Sequence, residues 1–167
     1  DWLVTCRGKA GAGGIPDLNF PDLPKTLARQ AVGGHPEGMH LAHLRLRDFR
    51  NYARLDVDFA PGFHLLLGDN AQGKTNILEA IYLIATLRSF RGVGGAQMVR
   101  HGQKGYFVGG KVVGQGEHDT KMYWSSRERS LSLDAQPVRK LTDYLGVLRT
   151  VVFCTEDLQL VKGVARA

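Results

Sequence analysis

Four residues with chemistry in their spacing stand out in this chain. Gly68 and Gly73, followed by Lys74 and Thr75, lie in the stretch "LLLGDNAQGKTNILEAIYLI". Their offsets match G-x-x-x-x-G-K-[ST], the P-loop pattern. Glycines let a backbone fold back on itself. The N–H groups of Gly68, Asp69, Asn70, Ala71, Gln72 and Gly73 then face one concavity suited to an anion. A helix starting near Lys74, with Asn76 in its first turn, adds the positive end of its dipole. Lys74 supplies a mobile ammonium for β- and γ-phosphates, and Thr75 a hydroxyl for Mg²⁺. The expected ligand is a nucleoside triphosphate with Mg²⁺. The bland alternative is a glycine-rich turn between a strand and a helix. A second glycine stretch, "RGKAGAGG", has no strand before it, and Ala10 follows its Lys9, so it does not complete the pattern.

Such a loop works only if a strand and a helix hold its two ends. "GFHLLL" before it is a continuous apolar run, which predicts a strand buried on both faces. After the loop, apolar residues fall at positions 77, 80, 81, 84 and 87, and also at 78, 83 and 85. Coverage that wide predicts a helix packed against a sheet. Upstream, "HLRLRDF" and "RLDVDF" alternate as half-buried strands do, joined by a turn at "RDFRNYA". Residues 105–133 read as short antiparallel strands. A short helix near 138–145 and a strand "RTVVF" follow. Residues 1–38 differ from the rest: "GKAGAGG", three prolines and "VGGHPEG" predict a flexible lead-in, an upstream extension or a product of start-site choice. The ordered part is expected from Met39, over 39–167.

Bulk composition narrows the function little. The chain has 167 residues, enough for one domain with a core or for part of a larger one, and a net charge of +6 that permits an anionic partner. Cys6 and Cys154 are isolated, which supports neither a zinc site nor a disulfide framework, and a cytoplasmic setting fits. No apolar stretch approaches the roughly 20 residues that cross a bilayer, so no membrane association is expected.

The surroundings of the loop narrow it more. "RDFRNY", "GDNAQGKTNILEAIYL", "LRSFR" and "VVFCTEDLQLVKG" occur in that order between Met39 and Gly163. Together they resemble the N-terminal ATPase lobe of the RecF family of DNA replication and repair proteins, relatives of SMC and ABC-type heads. The resemblance implies an α/β P-loop head with an antiparallel β-subdomain. It also implies an ATP-dependent homodimer that binds gapped or single-strand/duplex DNA, works with RecO and RecR to load RecA, supports the SOS response, and hydrolyses ATP slowly under DNA stimulation. In related heads the basic residue after the first-turn Phe lies near the nucleotide. Here that is Arg50, followed by Asn51, and the alternative is a solvated turn charge. Arg88 and Arg91 either contact phosphate or DNA or merely complement the negative helix end before them, the reading favoured for Arg91.

Several expected parts are missing. In "VVFCTEDLQL" Cys154 and Thr155 separate the apolar run from Glu156, which excludes a Walker B strand; Thr155 stands where the family usually has Pro. Glu156, Asp157 and Gln159 read as a loop, with a phosphate-sensing role for Gln159 left open. No S-G-G-[QM] signature occurs, so the chain reads as the first part of a longer protein with an incomplete ATPase head. Competing readings are another P-loop ATPase, such as a small-molecule kinase or transporter ATPase, and a non-functional truncated product. Arg45, Arg47, Arg54, Arg100, Lys104, Arg127, Arg129, Arg139 and Lys140 are DNA-contact candidates, each also readable as an ordinary solvated charge. No interleaving of aromatic and basic residues along the chain marks a single-strand stacking platform.

Overall fold

In the computed structural model, residues 31–33, 38–67 and 69–153 are described. The central feature is an antiparallel sheet against which one long helix packs. In chain order the elements are β1 (Ala31–Gly33), β2 (His40–Phe49), β3 (Tyr52–Asp58), β4 (Gly62–His64), α1 (Lys74–Thr86), α2 (Gly95–Met98), β5 (Gly105–Val113), β6 (Glu117–Ser125), β7 (Arg129–Leu133), β8 (Gln136–Pro137) and α3 (Leu141–Tyr144). Six strands join in the order β3-β2-β5-β6-β7-β8, and β1 pairs separately with β4. Three residues of the stretch read as a loose lead-in, Ala31–Gly33, thus pair with Gly62–His64.

Alternation decides which side of the sheet is buried. Leu44 and Leu46 of β2 point inward with Val108 and Val112 of β5, and Ile77, Ile81 and Ile84 of α1 cover them. Burying each such side chain contributes about 1.5–3 kcal/mol, so this contact dominates stability. Gly110 brings α1 close: a Cβ there would lie 3.0 Å from Ile84 and 3.0 Å from Leu41. Tyr106 stacks on Trp124 with ring centres 5.8 Å apart, and Phe49 meets its edge at 5.3 Å. Burial pushes the Tyr106 phenol up to about 12. Tyr144 of α3 donates to the Ile84 carbonyl at 2.8 Å, tying α3 to the end of α1.

Two expected strands differ. "GFHLLL" is a strand only over Gly62–His64, and Leu67 is 44 % exposed. A strand buried on both faces needs neighbours on either edge and cover on either side, and among the described residues β4 has only β1. "RTVVF" forms no strand over 149–153 for the same reason, leaving Val151 63 % and Phe153 73 % exposed. Residues 154–167, including Glu156, Asp157 and Gln159, lie outside the described residues. Among those described, no helix is long and apolar enough to cross a membrane.

Candidate functional site

The loop reaches helix α1 through Gly73, which adopts φ 99 and ψ 5 in the left-handed region. A Cβ at Gly73 would sit 2.6 Å from Asn51 Nδ2 and 2.8 Å from the Tyr52 hydroxyl. Glycine is therefore required there by both backbone angle and space. Ala71 also lies in the left-handed region, at φ 65. Helix α1 begins at Lys74 with no side-chain cap and no acid in its first turn. The positive end of its dipole is thus available to an exogenous anion. Lys74 Nζ donates to the Asp69 carbonyl at 2.8 Å, bridging the two ends of the loop. Asp69, Asn70 and Ala71 are exposed, whereas Gly73 is buried. Gly68 lies outside the described residues.

A tight turn between β2 and β3 supports the loop from below. Asn51 Nδ2 donates to the Gln72 carbonyl at 3.3 Å, and Asn76 Nδ2 donates to Asn51 Oδ1 at 2.8 Å. Arg91 Nη1 in turn donates to Asn76 Oδ1 at 3.1 Å. Tyr52 packs against Gly73 with its hydroxyl buried and, among the described residues, without a hydrogen-bond partner, and burial pushes its phenol up to about 12. The structure therefore brings together Asn51, Gln72, Gly73 and Asn76 from the expected set.

Arg50 is not the solvated turn charge that was one of its two readings. Its side chain is largely buried and grips Glu79 on α1 bidentately, Nε to Oε2 at 2.8 Å and Nη2 to Oε1 at 2.7 Å. Nη1 donates to the Gln97 carbonyl at 2.9 Å, and the Arg50 N–H to the Met98 carbonyl at 2.8 Å. These bonds hold Arg50 at φ 55, a turn position where glycine is usual. Ser89 Oγ donates to Glu79 Oε1 at 2.5 Å, and Arg91 Nη1 lies 3.6 Å from Oε2.

Arg91 also departs from expectation. Instead of complementing the C-terminal end of α1, it folds back to Asn76 in the first turn and to Glu79 in the middle. Residues 87–91 reverse direction after Leu87, the left-handed C-cap at φ 60. Arg88, by contrast, is exposed and has no side-chain partner among the described residues.

Glu79 is the residue that sequence reasoning passed over. It is fully buried, at 0 % exposure. A carboxylate inside an apolar helix face was itself the available signal, because a buried charge requires partners. Here it has a bidentate arginine, a serine hydroxyl and a second arginine. The cluster locks the β2–β3 turn to α1, and Asn51 carries that constraint to the loop.

An AAA domain model matches residues 43–139, more than half of the chain. The DNA replication and repair protein RecF of Kineococcus radiotolerans is 45% identical over 130 residues, covering 75% of this chain and 32% of that protein. RecF of Lacticaseibacillus casei is 40% identical over 126 residues, covering 75% of this chain and 34% of that protein. The chain thus spans about a third of the length of the curated relatives it matches. A solved structure described as the recombination mediator protein RecF-ATP in the RecFOR pathway superposes with TM-score 0.66 at 29% identity. It covers 74% of this chain and 35% of that one. The fold is accordingly that of an ABC/SMC-type P-loop ATPase head with an antiparallel β-subdomain. The matched loop, the turn beneath it and the sheet agree, and the chain belongs to the AAA domain family and to the RecF family, as an N-terminal portion.

Proposed function

We propose that the chain binds ATP with Mg²⁺ on the loop from Gly68 to Thr75, as part of a protein that acts on DNA in replication and recombinational repair. The observation that carries this reading is the junction at Gly73, left-handed and without room for a side chain, opening directly into an uncapped helix. That junction fits a phosphate group, since backbone N–H donors and a positive dipole end converge on it. Lys74 would hold the β- and γ-phosphates and Thr75 the Mg²⁺, which when bound neutralises developing charge on the phosphates. Asn51 and Asn76 keep the loop in register from below. Arg50 acts through Glu79, as a positioning residue.

Support for the DNA reading comes from relatives named for DNA replication and repair and from the RecF-ATP structure. A small-molecule kinase or transporter reading draws no such support. Within the same proposal the protein is cytoplasmic and forms an ATP-dependent homodimer on gapped or single-strand/duplex DNA. There it acts with RecO and RecR to load RecA, supports the SOS response, and turns ATP over slowly under DNA stimulation.

Two measurements test the reading. Lys74→Ala is expected to abolish binding of a fluorescent ATP analogue, and unchanged binding would overturn the loop assignment. Gel shift on gapped DNA, with and without ATP at two salt concentrations, should show affinity falling steeply with salt as phosphates are neutralised. Salt-independent retention, or none, would overturn the DNA reading while leaving the ATP reading standing.

A further inference from the structure

The face of the sheet turned away from α1 is divided into two kinds of row. In one, Asp58, His43, Lys111 and Asp119 lie side by side across β3, β2, β5 and β6. Polar groups there are paired: His43 Nδ1 is 2.5 Å from Asp58 and its Nε2 is 2.8 Å from Asp56, and Lys111 is 2.6 Å from Glu117. The next row is matched too, with Arg45 3.0 Å and Lys121 2.7 Å from Asp119.

The row beyond it is built otherwise. Arg54 of β3 lies directly opposite Arg47 of β2, Arg47 opposite Phe107 of β5, and Phe107 opposite Tyr123 of β6. Both arginines are exposed, and among the described residues neither has an ion-pair or hydrogen-bond partner. Like charges directly opposed in a sheet are destabilising, so the fold gains nothing from this pair. The nearby acids are engaged elsewhere, Asp56 with His43 and Asp48 with Arg100. Tyr123 is 36 % exposed, a large aromatic kept at the surface. Phe107 lies over Gly109: a Cβ there would be 2.9 Å from the end of its ring, so glycine leaves the ring room to lie across the sheet.

We propose that this row is a stacking platform for single-stranded nucleic acid, with Phe107 and Tyr123 each carrying a base and Arg47 and Arg54 neutralising the adjoining phosphates. Neighbouring strands are about 4.8 Å apart, so the four residues span roughly 14 Å. A four-stranded sheet with two surface aromatics takes two or three bases in this way. Two uncompensated cations select an anion, and the exposed Tyr123 ring beside the half-buried Phe107 ring selects a flat apolar group; a single strand presents both at once, whereas a duplex hides its base faces. Contact is sequence-tolerant, since every base has a π-face. The site stands on the charge and shape of this face, and only the choice of DNA as the probe leans on the reading above.

Fluorescence anisotropy with labelled oligo(dT), and with a duplex of equal length, tests it on the full chain. Phe107→Leu and Tyr123→Leu keep apolar bulk while removing the π-face, and each is expected to weaken single-strand binding about tenfold, the order of one lost base stack. Arg47→Gln and Arg54→Gln should each lower the salt slope by about 0.7. Lys111→Gln, in the matched row, should leave affinity within about twofold and the slope nearly intact. Binding of the fluorescent ATP analogue by the same variants should equal that of the parent, which reports an intact fold and keeps this test separate from the nucleotide reading. Four results would each overturn the platform: no single-strand binding by the parent, equal affinity for duplex and single strand, leucine variants that bind as the parent does, or an equal effect of Lys111→Gln. Capture of an acidic protein in place of the oligonucleotide, with DNA affinity unchanged across the variants, would overturn it as well.

Discussion

Arg47 and Arg50 are three residues apart and meet opposite fates. Arg50 turns inward, where every guanidinium nitrogen has an acceptor on Glu79 or the Gln97 carbonyl. Arg47 turns outward, opposite Arg54, with no partner among the described residues. The difference separates two uses of charge. Inside, a carboxylate at 0 % exposure needs its arginine to be tolerated at all, and the pair fixes backbone geometry. Outside, water solvates the cation without help, so an unmatched charge is tolerated and remains free to meet an anion.

Breaking the inner pair should have the largest effect. Glu79→Ala leaves Arg50 desolvated without a counter-charge, a change that costs about 3–5 kcal/mol, read as a drop in the urea midpoint of unfolding. A midpoint unchanged within error would show that the cluster is ornamental to folding. Arg50→Gln should be nearly as costly, while Arg47→Gln should shift stability by no more than about 0.5 kcal/mol and toward greater stability. Equal effects of those two substitutions would erase the contrast between the faces.

Gly73→Ala tests the loop itself. A Cβ at φ 99 costs about 1–3 kcal/mol and collides with Asn51, so binding of an ATP analogue should fall at least tenfold. Asn51→Ala should be milder. It removes hydrogen bonds worth about 0.5–1.5 kcal/mol each, and affinity should fall several-fold with little change in thermal midpoint. A larger stability loss than affinity loss would reassign Asn51 to the core alone. A further expected effect is alkaline. Burial holds the Tyr52, Tyr106 and Tyr144 phenols at about 12 against a reference of 10.0. The unfolded chain therefore loses protons first, and the contribution present below pH 10 declines as pH rises toward 12. Chemical denaturation at pH 9 and 11 should show that decline; rising stability would contradict the burial of these rings.

Much of this was legible in the chain. Alternation predicted β2 and β3, the apolar positions from 77 to 85 predicted a helix on a sheet, and antiparallel strands were expected within 105–133 where β5, β6 and β7 lie. Those are local patterns, repeating every two or 3.6 residues, and they survive without knowledge of neighbours. "GFHLLL" and "RTVVF" misled for the complementary reason: an apolar run states only that a strand would profit from burial, and pairing partners must still exist.

By itself, then, the order of residues determined the phosphate loop, the helix behind it, the alternating strands and the family to which they belong, because each rests on spacings within a few turns of chain. Only the tertiary structure decided the rest. Glu79 became a clamp because packing removed its water and presented Arg50, Ser89 and Arg91. Arg91 returned to the start of α1 because Leu87 reverses the backbone. Residues 47, 54, 107 and 123 form one row because cross-strand register aligns them, and register joins positions that sequence keeps as far as 76 residues apart.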